Sequence, residues 1–296
     1  MIFGDAVILG SGGGETASIL AIGDVLETDT VYAEKGGKHI NGVWKREANP
    51  AWLNLPSVYQ QIEYLQSSGT QYIDTNHSLN LNSDIIAYKM SWVNYTSDVF
   101  DKPFGATDSN ATGAFQQSSK NGIQRLMFGK NATDGSQYET ALEIGKIYDV
   151  EFGKSGGRIN NETFTLDAGY TAQISRDVFL FCTNSDNTAK QFAFVRFYNF
   201  TIKNNGGTLV RNFIPCYRKS DHKPGMYDTI NGVFYVNQGT GADFTVGADV
   251  LQYIDGFEVK NIREYGTWTL TVKQTNRADI VRNVLIDAAE LFTVEV

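Results

Sequence analysis

Residues 55–75 read LPSVYQQIEYLQSSGTQYIDT. Pro56 opens a turn. Val58, Tyr59, Ile62, Tyr64 and Leu65 then crowd aromatic and apolar surface between glutamines, Ser67-Ser68-Gly69 punctuates, and Gln71 to Thr75 resumes as a strand. Only one short stretch here, Val58 to Gln66, also suits a helical turn. The segment carries no obvious chemistry, but it marks the start of a domain well inside the chain.

The composition agrees with strands. The chain has 296 residues with 29 Gly, 5 Pro, 15 Tyr and 18 Phe, a mixture that suits sheets and tight turns better than helices. The net charge is −8, and the lysines and arginines form no basic stripe, so no nucleic-acid partner is expected. No apolar run approaches the ~20 residues a bilayer span requires, so no membrane insertion is expected. The start, MIFGDAVILGSGGGE, has no Lys or Arg ahead of a short apolar run and does not read as a secretory signal. Synthesis in a cytoplasm follows, and the Asn-x-Thr sequons at Asn94, Asn110, Asn131, Asn161 and Asn199 read as chance.

Cys182 and Cys216 could form one disulfide but are too few for a disulfide framework; Cys182, in VFLFC, reads as a buried thiol. Three scattered histidines, His39, His77 and His222, argue against zinc, and no cofactor is expected. Calcium would need oxygen ligands gathered in a loop. Asp108 to Asn110 and Asn184 to Asn187 are the short polar loops on offer, and neither follows the EF-hand pattern.

Three segments are expected. Residues 1–54 form a β leader, with a glycine cluster at Gly10 to Gly14 as a flexible joint and an Asn41-Gly42 hairpin between Lys38–Ile40 and Val43–Lys45. Residues 55–248 are strand after strand: Asp84 to Val93, Gly122 to Gly129, Lys146 to Phe152, Val178 to Cys182 and Gln191 to Ile202. In the last of these, alternation sets Phe192, Phe194, Tyr198, Phe200 and Ile202 on one face, interrupted by Arg196. Residues 249–296 form a small C-terminal β unit, with Trp268, Leu270 and Val272 on one face, and with strands at Asp279 to Asp287 and Glu290 to Val296 or, as the alternative, a short helix at Ile280 to Leu291. The fold class is all-β: an antiparallel jelly-roll β-sandwich with small N- and C-terminal β units.

Two segments carry a family resemblance. LPSVYQQIEYLQSSGTQYIDT resembles the opening strand of concanavalin A-like (laminin-G-like) jelly-roll domains in proteins of gut bacteria and their phages. Residues 211–244, RNFIPCYRKSDHKPGMYDTINGVFYVNQGTGADF, resemble the closing hairpin of the same domains. The flanks are loosely similar to modules of phage tail and head-fibre proteins. The resemblance implies two curved antiparallel sheets and a sugar-binding face or loop edge, with calcium in some members. It also implies a virion surface location, after synthesis in the host bacterial cytoplasm, with other virion proteins, copies of the same chain (a trimer favoured) and host surface glycans as partners. A bacterial cell-surface adhesin is the alternative. The first and last strands of such a sandwich meet, so Tyr59, Tyr64 and Tyr72 read as seam and core.

For sugar recognition the useful groups are aromatic rings with amides and carboxylates beside them. The candidates are Trp92, Tyr95, Asn94, Asp108, Tyr138 and Asn187. Tyr217, Tyr227 and Asp228 are weighed too, but Tyr227 and Asp228 fall in the closing motif and read as structural. Catalysis is not expected. A glycoside hydrolase needs two placed carboxylates, and Asp149-Val150-Glu151 supplies only Asp-x-Glu where the laminarinase-type pattern is Glu-x-Asp-x-Glu, because Ile147 stands in the first position.

Overall fold

The computed structural model of the protein describes residues 6–12, 15–21, 28–80, 82–96, 100–107, 114–129, 137–166, 176–260 and 266–286. Among these residues every regular element is a strand. The chain divides into two units: Asn54–Val250, and Met1–Leu53 together with Leu251–Val296.

The Asn54–Val250 unit is a sandwich of two sheets. The larger runs in the order Glu162–Thr165, Gly156–Ile159, Ile147–Gly153, Ile85–Trp92, Val195–Lys203, Leu209–Arg218, Lys223–Asp228, Val233–Val236. The smaller runs Gln137–Ala141, Ile123–Gly129, Ala114–Lys120, Asp101–Thr107, Asp177–Leu180, Ile73–Ser78. Alternation fixes which side chains face the core. Tyr148, Val150 and Phe152 are buried, while Ile147, Asp149 and Glu151 point outward and are half-buried. Trp92, Tyr88, Phe104, Phe197, Phe200 and Phe213 are fully buried between the sheets. Each such ring contributes roughly 1.5–3 kcal/mol from burial.

A polar chain crosses this core. The Tyr88 hydroxyl donates to Gln117 Oε1 at 2.8 Å, Gln117 Nε2 donates to Gln124 Oε1 at 2.8 Å, and Trp92 Nε1 donates to the same oxygen at 3.3 Å. Tyr88 and Trp92 belong to the larger sheet, and both glutamines to the smaller. The network fixes how the two layers register, which apolar contact alone does weakly.

The two resembling segments meet. Instead of the helical turn expected at Val58 to Gln66, Tyr59–Gln61 pairs with Cys216 to Arg218, and Leu65–Gln66 pairs with Arg196, Phe197, Thr245 and Val246. Edge pairing wins because Ile62 and Leu65 reach the core from an extended chain. Gln71 Nε2 donates to the Ala242 carbonyl at 2.9 Å, and Gln238 N donates to the Tyr72 carbonyl at 2.9 Å. Gly239 lies so close to Thr70 that a Cβ there would fall 2.1 Å from its carbonyl oxygen. Asp228, fully buried, accepts from the amides of Asn212 and Ile230 and from Asn231 Nδ2, tying off the turn of the closing hairpin. Cys182 and Cys216 are both free and buried, so the sandwich is closed without a disulfide.

A bulge changes one expected face. The pairing of Val195–Lys203 with Ile85–Trp92 shifts between Phe197 and Asn199. The extra residue puts Val195, Phe197, Phe200 and Ile202 inward. Tyr198 is thereby released from the aromatic face that simple alternation assigned to it.

In the other unit, Ala6–Gly12, Glu15–Ala21, Tyr253–Lys260 and Val43–Ala48 form one sheet; Ile280–Ile286, Gly266–Lys273, Thr30–Lys35 and Lys38–Asn41 form another. The N- and C-terminal flanks are therefore hydrogen-bonded to each other. Trp268, Leu270 and Val272 are buried with Val31 and Ala33, and Arg277 donates to buried Asp29 at 2.8 Å. The hairpin expected at Asn41-Gly42 lies instead at Gly36-Gly37, whose φ values of 56° and 81° suit a tight turn, and Val43–Ala48 pairs with Tyr253–Lys260. Gly10 and Gly12 lie within a strand, not a joint. Ile280–Ile286 is a strand, not a helix, and the strand expected at Glu290 to Val296 lies outside the described residues.

Candidate functional site

The outer face of the larger sheet gathers the chemistry. Strand register places Arg196 opposite Ser91 on one side and Gln66 on the other, with Ser91 in turn opposite Ile147. One residue pair further along, Lys89 faces Asp149 and Asn199. Further again, Glu151 faces Ala87 and Arg158. All of these point away from the core that Met90, Tyr88 and Phe197 occupy.

At one end sits an aromatic and cationic cluster. The Arg196 guanidinium lies 4.5 Å from the Tyr64 ring centroid, and its Nε donates to Gln66 Oε1 at 2.7 Å. Tyr198 meets Tyr64 edge-on at 5.7 Å, and its hydroxyl is 3.5 Å from Ser91 Oγ. Tyr64, Gln66, Arg196 and Tyr198 are each half-buried, so they are held in place yet reachable. Tyr64 therefore differs from Tyr59 and Tyr72. Tyr59 packs on Tyr227 and Phe234 in the seam, Tyr72 stacks on Phe179, and Tyr64 opens onto this face.

The middle of the face is ionic and neutralised. Asp149 lies between Lys89 at 3.6 Å and Arg158 at 3.0 Å, and Glu151 accepts from Lys203 at 2.9 Å. A general acid needs a carboxyl held protonated by an apolar or like-charged setting. Here each carboxylate instead has cations against it.

At the other end is an open cleft of about 300 Å³, lined in part by Asn82, Asp84, Glu151, Lys154, Ser155 and Asn205. Its wall is the tight turn after Ile147–Gly153. Gly157 packs so closely there that a Cβ would fall 1.9 Å from the Glu151 carbonyl oxygen. Lys154 Nζ donates to Asn82 Oδ1 at 3.0 Å, and Asn205 Nδ2 to the Asn82 carbonyl at 3.1 Å. Asp84 is buried and organises its own turn, accepting from Asn80 N and Ser83 Oγ with His77 Nε2 at 3.0 Å. From Arg196 to Lys203 the strand spans roughly 20 Å, so cluster and cleft are the two ends of one elongated surface.

The residues selected from sequence fare differently. Trp92 is fully buried and presents no ring face to a ligand: it sits on the inner side of its strand, bonded to Gln124. Tyr138 is half-buried and stacked on Phe164 at 4.4 Å, part of the core margin rather than a free platform. Tyr95 packs against the core, while Asn94 is exposed and accepts from the Tyr95 amide. Asn187 is exposed in a two-residue turn with Asp186, both at positive φ, between Thr183–Ser185 and Thr188–Lys190. Asp108, and with it the Asp108 to Asn110 loop, lies outside the described residues. Apart from the local Asn94–Tyr95 bond, no hydrogen bond or ring contact among the described residues joins these positions. Among the described residues no cluster of three or more His, Cys, Asp or Glu side chains is placed to hold a metal.

Sequence reasoning missed Tyr64, Gln66, Tyr198, Asn82 and Asn205. Arg196 gave the one usable signal, a charge interrupting an aromatic strand. The bulge beside it could not be read from alternation.

No family model and no curated protein matches this chain. Among solved structures, the binding domain of botulinum neurotoxin DC in complex with rat synaptotagmin II superposes with a TM-score of 0.34 at 10% identity, over 84% of this chain and 72% of that one. The receptor binding domain of the botulinum neurotoxin C/D mosaic serotype gives 0.36 at 9%, over 89% and 94%. Similarity of that size establishes no common function.

Proposed function

We propose that the protein is a non-enzymatic adhesion module that binds glycans across the outer face of its larger sheet. The observation that carries this reading is the array itself. Tyr64, Arg196, Tyr198 and Gln66 at one end, and Asn82, Lys154 and Asn205 at the other, offer ring, amide, hydroxyl and cationic groups on a rigid scaffold. Sugars are held by this combination of ring contact and hydroxyl pairing. The ion pairs around Asp149 and Glu151 disfavour a hydrolase.

A glycan array probed with the full chain tests the reading. Binding that is lost with Tyr198→Ala and Asn205→Ala, in a protein that still melts cooperatively, is the expected result. Absence of any glycan hit, or hydrolysis of a polysaccharide that Asp149→Ala and Glu151→Ala abolish, would overturn it.

The wider setting we propose is display on a bacteriophage virion, in copies that associate through the flanking strands. Its support is the resemblance of residues 55–75 and 211–244 to domains of gut bacteria and their phages. Mass spectrometry of purified virions tests it, and absence of the chain from the particle would sink it.

A further inference from the structure

Resting on the reading of this face as a glycan surface, we infer that Arg196 is a carboxylate-reading subsite, and that the glycan is an acidic polysaccharide bearing uronic-acid units. The cations around it are already committed: Lys89 and Arg158 lie against Asp149, and Lys203 against Glu151. Arg196 has no carboxylate among the described residues. Its Nε is taken by Gln66 Oε1 at 2.7 Å, and the Tyr64 ring lies 4.5 Å from the guanidinium carbon. Both contacts fix the plane of the group. Neither uses the two terminal nitrogens, which make no hydrogen bond among the described residues.

A guanidinium held in this way presents a planar fork that pairs with both oxygens of one carboxylate. Its rotamer freedom is spent before any ligand arrives, so less is lost on binding. The half-buried Tyr198, whose hydroxyl lies 3.5 Å from the buried Ser91 Oγ, shares this face and offers its hydroxyl to the same sugar. A sulfate or phosphate would also be attracted by the charge. The fork geometry and the Tyr198 hydroxyl favour a planar carboxylate on a sugar ring.

The test uses the full chain on an array that sets uronic-acid polysaccharides beside their carboxyl-reduced, neutral counterparts and beside dextran sulfate, followed by titration calorimetry on the hits. The expected result is a preference for the acidic member of a pair on the order of tenfold or more, as a charged hydrogen-bond pair provides. Arg196→Gln abolishes that preference and leaves residual binding of the neutral counterpart. Arg196→Lys, which keeps the charge but not the fork, fails to restore it. Thermal melts of both variants confirm that they fold. Equal binding of acidic and carboxyl-reduced members overturns the inference and leaves the glycan reading standing. Dextran sulfate bound as tightly as the uronic polymer, with Arg196→Lys active, overturns the carboxylate fork. No binding to any glycan overturns both.

Discussion

Trp92 Nε1 donates to Gln124 Oε1 at 3.3 Å, and that single oxygen also accepts from Gln117 Nε2 at 2.8 Å. One buried amide thus serves two donors, one on each side of the sandwich. Replacing Gln124 by Met keeps the volume but strands both donors. A loss of about 1–3 kcal/mol is expected, since buried unpaired donors carry their full desolvation penalty. Urea unfolding of the variant checks it, and an unchanged midpoint would show that the network contributes nothing.

Lys102 gives a pH signature. It is 8% exposed, and burial pulls its pKa from 10.5 down to about 8. The folded chain therefore holds fewer protons at this site than the unfolded chain between about pH 8 and 10.5. Its contribution to stability rises with pH through that window and is unfavourable below it. Lys102→Met is expected to be more stable than the parent at pH 7, by about 3 kcal/mol as an order of magnitude. The gap should close toward pH 10.5. Parallel denaturation series at several pH values measure it; a constant gap would refute it. The comparison between the two proteins removes the tyrosines, among them Tyr88, whose hydroxyl burial raises well above its ordinary pKa.

The thiols should be silent. Burial pushes Cys216 up to about 12 and raises Cys182 as well, so little thiolate forms at neutral pH. Neither should react with a thiol reagent in the native protein, and both should label at once in denaturant. Mass spectrometry after timed labelling reads this directly, and rapid native labelling of either would contradict the burial.

Gly157 tests the wall of the cleft. A Cβ there would fall 1.9 Å from the Glu151 carbonyl oxygen and 2.6 Å from Phe152 Cα. Gly157→Ala should cost at least about 1–3 kcal/mol through forced backbone movement. Gly206→Ala, where the nearest atom is Asn204 Oδ1 at 3.4 Å, should change stability by less than about 0.5 kcal/mol. Thermal denaturation of the pair decides it, and equal melting temperatures would refute the close approach.

Much of the fold was legible in the sequence, because alternation reports burial directly. Tyr148, Val150 and Phe152 read as one face and are one face, and Trp268, Leu270 and Val272 likewise. Asn121 and Gly122 take positive φ, 55° and 73°, in the turn between Ala114–Lys120 and Ile123–Gly129, the conformation an Asn-Gly pair favours. The site was legible only in part. Trp92 alternates with Met90, a pattern that favours the core over a ligand role, and it is buried there. Tyr198 was assigned to the wrong face because a one-residue bulge reverses every side chain beyond it. Asn82 and Asn205 come from two different turns, and only the folded sheet sets them at one cleft. The Asn41-Gly42 hairpin failed because Gly36-Gly37 offers a competing turn a few residues earlier.

The most direct measurement is calorimetric titration of the full chain with the best glycan hit, for the parent, Tyr64→Ala, Tyr198→Ala and, as a control, Asn187→Ala. Binding through the outer face of the larger sheet predicts at least about tenfold weaker affinity for both tyrosine variants, from loss of ring contact. It predicts no change for Asn187→Ala. Unaltered affinity in the tyrosine variants, or loss confined to Asn187→Ala, would contradict it.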